Sequence, residues 1–167
     1  GTKRMYSNWT VLGNININSG VTLNTSDNVI PTYYNIEARG HWTNSGTFTA
    51  NTSKVTFNGA IPYVNITSGG SNFYDADFSA GSVVYKLQST STRIARAMTI
   101  GSGAELSLNS KTLILGSNIG AGKLFQVDGT LRVNENAVLK VNNQSSQSVI
   151  NVAGALQIVG SDATNIA

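Results

Sequence analysis

Few residues in this chain have the chemistry to act as acids, bases or metal ligands. It carries eight Asp and Glu, one His and no Cys. Only Asp75 and Asp77, in NFYDADF, stand together in a strand-like segment, and residues two apart on a strand point to the same side. Glu105, about one repeat later, extends that column. Hard cations such as calcium take several carboxylate and carbonyl oxygens, so Asp75, Asp77 and Glu105 are the candidate metal ligands, for a weak site. The simpler expectation is a solvated ladder in which Glu105 meets Arg132, contributing under ~1 kcal/mol. His41, beside Trp42, has no Ser or Cys partner and makes no triad. Arg93 and Arg96 would suit an anionic glycan, but long cations more often cover apolar edges with their stems. Polysaccharide lyases and hydrolases need converging carboxylates, a cation cluster or a strong base. Without such a constellation the chain reads as a non-enzyme with no cofactor beyond that weak calcium.

The aromatic residues supply a second candidate. Twelve of the thirteen lie at or before Tyr85, leaving Phe125 alone beyond it. Trp42, Phe48 and Phe78 fit core positions. Tyr33, Tyr34, Tyr63 and Tyr85 are less constrained and are the candidate ligand-binding residues, for stacking on sugar rings. Ice binding, which needs a flat threonine array, has only Thr47 and Thr49 in its favour, because the corresponding pairs elsewhere are Asp75/Asp77, Gly103/Glu105 and Thr130/Arg132.

These side chains have positions only if the elements carrying them are known. Charged residues make up 11% of 167 residues, against about 25% in ordinary globular chains. Gly, Asn, Ser and Thr take their place, and all are poor helix formers. The eleven Lys and Arg are scattered and give a net charge of +3, which forms no nucleic-acid stripe. No stretch approaches the ~20 apolar residues of a membrane span. The absence of cysteine excludes disulfides and thiolate metal sites.

Small residues recur between alternating apolar ones: Ser19 in INSGVTL, Gly46 in TNSGTFT, Ser102 in IGSGAEL, Gly129 in VDGTLRV and Gly154 in VAGALQI. With Tyr74 as the missing corner the steps are 27, 28, 28, 27 and 25. Residues two and four to either side are nearly all apolar, and the odd offsets are polar. That is one buried and one solvated strand face. Short strands that cannot bury a face alone do so by stacking. The sequence therefore predicts an all-β fold, a parallel β-helix or β-solenoid of about six coils of ~27 residues, forming one domain over residues 1–167. Right-handedness is expected, as for parallel crossovers generally. An antiparallel sandwich also has short alternating strands, but it does not repeat a strand–corner–strand unit at so constant a step.

The segment His41–Ala60, HWTNSGTFTANTSKVTFNGA, resembles the W-x-N-x-G-T-F…V-x-F-N-G repeat of large secreted or surface adhesin-like proteins of Bacteroidetes-type bacteria. NFYD at Asn72–Asp75, GSVV at Gly81–Val84, IGSGAELSL and KTLILGS continue the likeness over roughly residues 40–117. Ile61-Pro62-Tyr63 departs from the usual polar stretch. The resemblance implies an extracellular or cell-surface repeat region with no catalytic residues to carry over.

Five N-x-S/T sequons, at Asn8, Asn24, Asn51, Asn65 and Asn143, match the number this composition gives by chance, about four. Their Asn suit turns, and Asn24, Asn51 and Asn134 are placed to stack. Neither terminus carries a helix or charged segment to cap a solenoid edge. The expected partners are neighbouring coils or domains of a longer protein, end-to-end copies of this chain, and glycans; neither nucleic acid nor a membrane span is expected. The function that follows is a structural, adhesin-like rod, a stalk or assembly module, with a carbohydrate-binding module using the aromatics of residues 33–85 as the alternative.

Overall fold

A computed structural model describes residues 1–27, 32–116, 124–142 and 149–159. Among them every element is a strand, and every strand pairing is parallel. The chain is a β-solenoid of about six turns spaced near 24 residues.

Sheet 1 stacks Trp9–Val11, Ile36–Ala38, Lys54–Phe57, Phe73–Phe78 and Ser91–Ile100, and then forks. The first half of Ser91–Ile100 pairs with Thr112–Leu115 and thence Val138–Val141. Its second half pairs with Leu124–Val127 and thence Val149–Val152. Sheet 2 stacks Ile15–Ile17, Trp42–Asn44, Tyr63–Thr67, Val84–Leu87, Glu105–Ser107, Thr130–Val133 and Ala155–Ile158. Sheet 3 holds only Thr2–Arg4, Thr22–Asn24 and Thr47–Thr49. In chain order each sheet 3 strand precedes a sheet 1 strand, and Thr22–Asn24 and Thr47–Thr49 each follow a sheet 2 strand. The first half of Ser91–Ile100, Thr112–Leu115 and Val138–Val141 occupy the same place in later turns. In the turn between them, Ser68–Asn72 forms no strand.

The constant period of 27 is corrected by this register. Successive sheet 1 partners Trp9, Ile36, Val55, Ala76, Met98, Phe125 and Ile150 are 27, 19, 21, 22, 27 and 25 residues apart. Ser19 and Gly46 lie at corners between sheets 2 and 3, whereas Ser102, Gly129 and Gly154 lie between sheets 1 and 2. Tyr74 is no corner and sits inside the strand Phe73–Phe78. Alternation on both sides of a small residue looks the same at either corner, so the pattern found corners without saying which.

The alternation itself holds. Ile15, Ile17, Trp42, Phe48, Phe78, Met98, Ile100, Phe125, Val127, Leu131 and Val133 are buried. One core runs from Met5 to Leu139. Its first half is aromatic: Trp42 meets Phe48 and Phe73 edge-on at ring-centroid distances of 4.9 and 5.4 Å, and Phe57 stacks on Phe78 at 5.2 Å. Such pairs add about 0.5–1.5 kcal/mol each to simple area burial. On the last described strand the equally inward Leu156 and Ile158 are each 40% exposed.

Polar groups serve the corners. Buried Asn44 donates to Ser68 O at 2.8 Å and Ser71 Oγ at 3.1 Å, and its Oδ1 accepts from Gly46 N. Asn24 and Asn51 stack as expected, with Asn51 Nδ2 donating to Asn24 Oδ1 at 2.9 Å. Asn134 does not join them: its Oδ1 accepts from Ser107 Oγ and Asn109 N. Asn143 lies outside the described residues.

Candidate functional site

The three carboxylates proposed as metal ligands do not converge. Asp75 and Asp77 do share the outer side of sheet 1, where they align with Lys54 and Thr56. Glu105, however, is on sheet 2, where it aligns with Val84 and Thr130. The expected Asp77–Glu105 column is therefore corrected, for the same reason as the period. Each acid has its own cation: Asp77 with Lys54 at 2.8 Å, Glu105 with Arg132 at 2.9 Å, and Asp75 with Arg96. The Glu105–Arg132 ladder is thus present. Among the described residues no group of three or more His, Asp or Glu is placed to hold a metal ion.

Asp75 is more than a surface partner. The sheet 1 register slips between Phe73, which faces Ile94, and Asp75, which faces Ala97, so Ala95 and Arg96 bulge opposite Tyr74. A bulge leaves ladder groups unpaired, and here the Asp75 carboxylate fills in. Its Oδ1 accepts from Ala97 N at 3.1 Å and from Arg96 Nε at 2.8 Å, and Arg96 Nη2 donates to Oδ2. Beneath this cover Asp75 is only 6% exposed. The Arg96 guanidinium also lies over the Tyr74 ring, 5.0 Å from its centroid. Its pKa is pushed further up, first by the hydrogen bond to Asp75, against a smaller opposing effect of burial. Arg93, the other arginine singled out, donates to Gly116 O at 3.3 Å and so braces a corner.

The four candidate tyrosines scatter. Tyr85 is fully buried, which corrects its assignment to a ligand surface. Its hydroxyl donates to Phe57 O at 2.7 Å and accepts from Gly59 N and Ala80 N, and burial pushes its pKa up. Tyr33 and Tyr34 lie on the excursion between sheets 3 and 1, where Tyr33 bridges Ser26. Tyr34 donates to Asp27 Oδ2 at 2.9 Å and packs against the core; that hydrogen bond is the main cause of its raised pKa. Tyr63 is on the outer face of sheet 2 and 53% exposed. His41 of the preceding rung stacks against it at 6.4 Å and Lys86 of the following rung sits 5.2 Å from its centroid, so both neighbouring rungs flank the ring. His41 Nδ1 in turn accepts from Asn65 N at 3.1 Å.

A constellation that the sequence did not reveal lies where the third side of the solenoid is interrupted. Phe48, Ala50, Asn51, Asn72, Phe73, Tyr74 and Ala95 line a notch of about 270 Å³. Phe48 and Phe73 lie buried beneath it, each edge-on to Trp42. Asn51 is fixed through its amide nitrogen to Asn24 Oδ1 and Thr25 Oγ1. Asn72 is exposed at the rim, and the Tyr74–Arg96–Asp75 cluster adjoins it. The two glycines of Ser68-Gly69-Gly70-Ser71 were the available signal. At φ of 62° and 80° they turn the chain directly toward sheet 1 where other turns place a strand.

No family model, curated protein or solved structure matches this chain. No helix of the described residues is long and apolar enough to cross a membrane.

Proposed function

We propose that this chain is an extracellular, structural solenoid: a rigid, adhesin-like stalk or assembly module rather than an enzyme. The observation that carries the reading is the single apolar core running from Met5 to Leu139, with two parallel ladders continuous along it and a third that is interrupted at one turn. Bending such a rod means separating rungs whose backbone hydrogen bonds and apolar columns act together. The outer surface fits the same role, since Glu37, Asp75, Asp77 and Glu105 are each matched by a nearby cation. Assembly is supported by apolar side chains at the two end rungs. Trp9, Val11, Ile15, Ile17, Val21 and Leu23 line a depression of about 300 Å³ at one end, and Val152, Leu156 and Ile158 are partly exposed at the other. Further coils or a second copy would stack there. Sugar stacking by Tyr33, Tyr34, Tyr63 and Tyr85 together has less behind it, because they share no surface.

The chain has no cysteine, so dyes can be placed uniquely at Tyr6→Cys and Val159→Cys, both exposed and near opposite ends. Single-molecule energy transfer should give one narrow distance that persists in moderate denaturant until cooperative unfolding. A broad or drifting distribution would overturn the stalk reading. Protease treatment of intact source cells should remove the chain from their surface, and full protection would overturn the localisation.

A further inference from the structure

We propose that Asn58-Gly59, at the corner after Lys54–Phe57, is a latent deamidation site that the folded solenoid locks and that opening of this corner releases. It is the only Asn-Gly pair in the sequence. Asn is a thermolabile residue, and a following Gly, having no Cβ, lets its own amide nitrogen approach the Asn side chain most easily. In the reaction the Gly59 nitrogen bonds to Asn58 Cγ and gives up its proton, and Nδ2 leaves with that proton as ammonia. Water then opens the five-membered imide at either carbonyl, leaving Asp or isoaspartate at position 58. Water enters and ammonia leaves, so no further reactant is needed.

Three hydrogen bonds oppose the first step. Asn58 N donates to Ala38 O at 2.9 Å, which holds the residue in the sheet 1 ladder. Asn58 Nδ2 donates to Glu37 Oε1 at 3.0 Å, which fixes the side chain on the preceding rung. Gly59 N donates to Tyr85 Oη at 3.2 Å, so the attacking nitrogen is occupied. That hydroxyl is itself anchored, since it donates to Phe57 O at 2.7 Å from a fully buried ring. The glycine is not dispensable. A Cβ there would lie 2.8 Å from Val64 Cγ2 and 3.1 Å from Val83 Cγ1, and both valines are buried. Packing therefore imposes the labile pair, and the hydrogen bonds contain it.

Conversion is one-way. Asp at position 58 would set a carboxylate where Nδ2 met Glu37, and isoaspartate would add a methylene to the backbone between the Ala38 and Tyr85 contacts. The Asn58 donor is the first cause holding the Glu37 carboxyl below its usual range, and it is lost with the ammonia. A corner that has once opened is thus marked covalently and does not close as before. The site is independent of the stalk reading, because the lock acts whatever the solenoid is used for.

The test incubates the full chain at mildly alkaline pH, folded and in urea. Position 58 is followed by peptide mass and by chromatographic separation of Asp from isoaspartate. The unfolded chain should convert readily and the folded chain at least tenfold more slowly. Tyr85→Phe frees Gly59 N and Glu37→Ala frees Asn58 Nδ2, so each should convert at least threefold faster than the folded parent. Asn44-Ser45, at another corner, is the internal control and should keep its parent rate in Glu37→Ala. Glu37 is on the outer face, so this variant decides the case should Tyr85→Phe loosen the whole chain. The product is tested separately: Asn58→Asp should melt below the parent. No conversion in urea, equal rates folded and unfolded, or no specific acceleration at position 58 in Glu37→Ala would each overturn the lock. An unchanged melting point for Asn58→Asp would overturn the one-way step.

Discussion

Tyr85 shows how a side chain read as a ligand contact becomes a structural one. Position alone made it available, being polar-tipped and near other aromatics; only the fold shows its hydroxyl bonded to three backbone groups, Phe57 O, Gly59 N and Ala80 N. Those groups belong to two successive corners between sheets 1 and 2, so one hydroxyl holds both. Tyr85→Phe keeps the ring and leaves those backbone groups without it. A buried polar group left unsatisfied costs about 1–3 kcal/mol, and urea unfolding should show a loss of that order. A second consequence concerns pH. Burial raises the Tyr85 pKa above its ordinary 10.0, so above pH 10 the unfolded chain releases this proton while the folded chain keeps it. The folded state then binds more protons, and stability falls as pH rises. Stability measured from pH 9 to 11 should fall more steeply for the parent than for Tyr85→Phe; Tyr34, also raised, is common to both and cancels. Parallel curves would remove Tyr85 as the source.

At the scale of elements, the corners decide how closely rungs can stack. A Cβ on Gly129 would run into Ala104 O and Gly101 O of the rung before, and one on Gly154 into Gly129 O and Asp128 O. Carbonyls in a ladder cannot yield as a flexible side chain would. Gly129→Ala should therefore cost about 1–3 kcal/mol, the usual range for overpacking. Gly13→Ala, where a Cβ meets nothing within 4 Å, should leave stability nearly unchanged. Thermal melts of the two variants compare them directly, and equal melting points would contradict the packing argument. These same glycines explain what the sequence could reveal. A small residue between alternating apolar pairs marks a corner wherever it occurs, so strands, inward faces and the parallel stack were legible. Which corner it marks depends on whether a turn has two strands or three, and that choice rests on Ser68-Gly69-Gly70-Ser71. The notch was hidden for that reason. Asn51, Asn72 and Tyr74 become neighbours only because one turn omits a strand, and Asp75 is covered only because Ala95 and Arg96 bulge.

For the whole molecule, a solenoid has contacts mainly between adjacent rungs, so stability varies along it instead of being shared evenly. Its two halves are unlike. From Trp42 to Tyr85 the core is a connected set of rings, with Trp42, Phe57, Phe73, Phe78 and Tyr85 almost wholly buried. Beyond Tyr85 the core is aliphatic apart from Phe125 and reaches Leu139, while Leu156 and Ile158, on the last described strand, are each 40% exposed. Aromatic side chains bury 150–250 Å² apiece, so separating rungs costs more in the first half. Hydrogen exchange should then show a gradient along the axis. Amides of Lys54–Phe57, Phe73–Phe78 and Val84–Leu87 should exchange last, at rates set by global unfolding. Those of Val149–Val152 and Ala155–Ile158 should exchange first, by opening of the end rung. Substituting Phe73→Leu at the junction of the ring cluster should speed exchange on both neighbouring rungs and leave the Ala155–Ile158 rates unchanged. Uniform protection across all rungs would mean that the rod unfolds as one unit, and that the aromatic half does not hold the other in place.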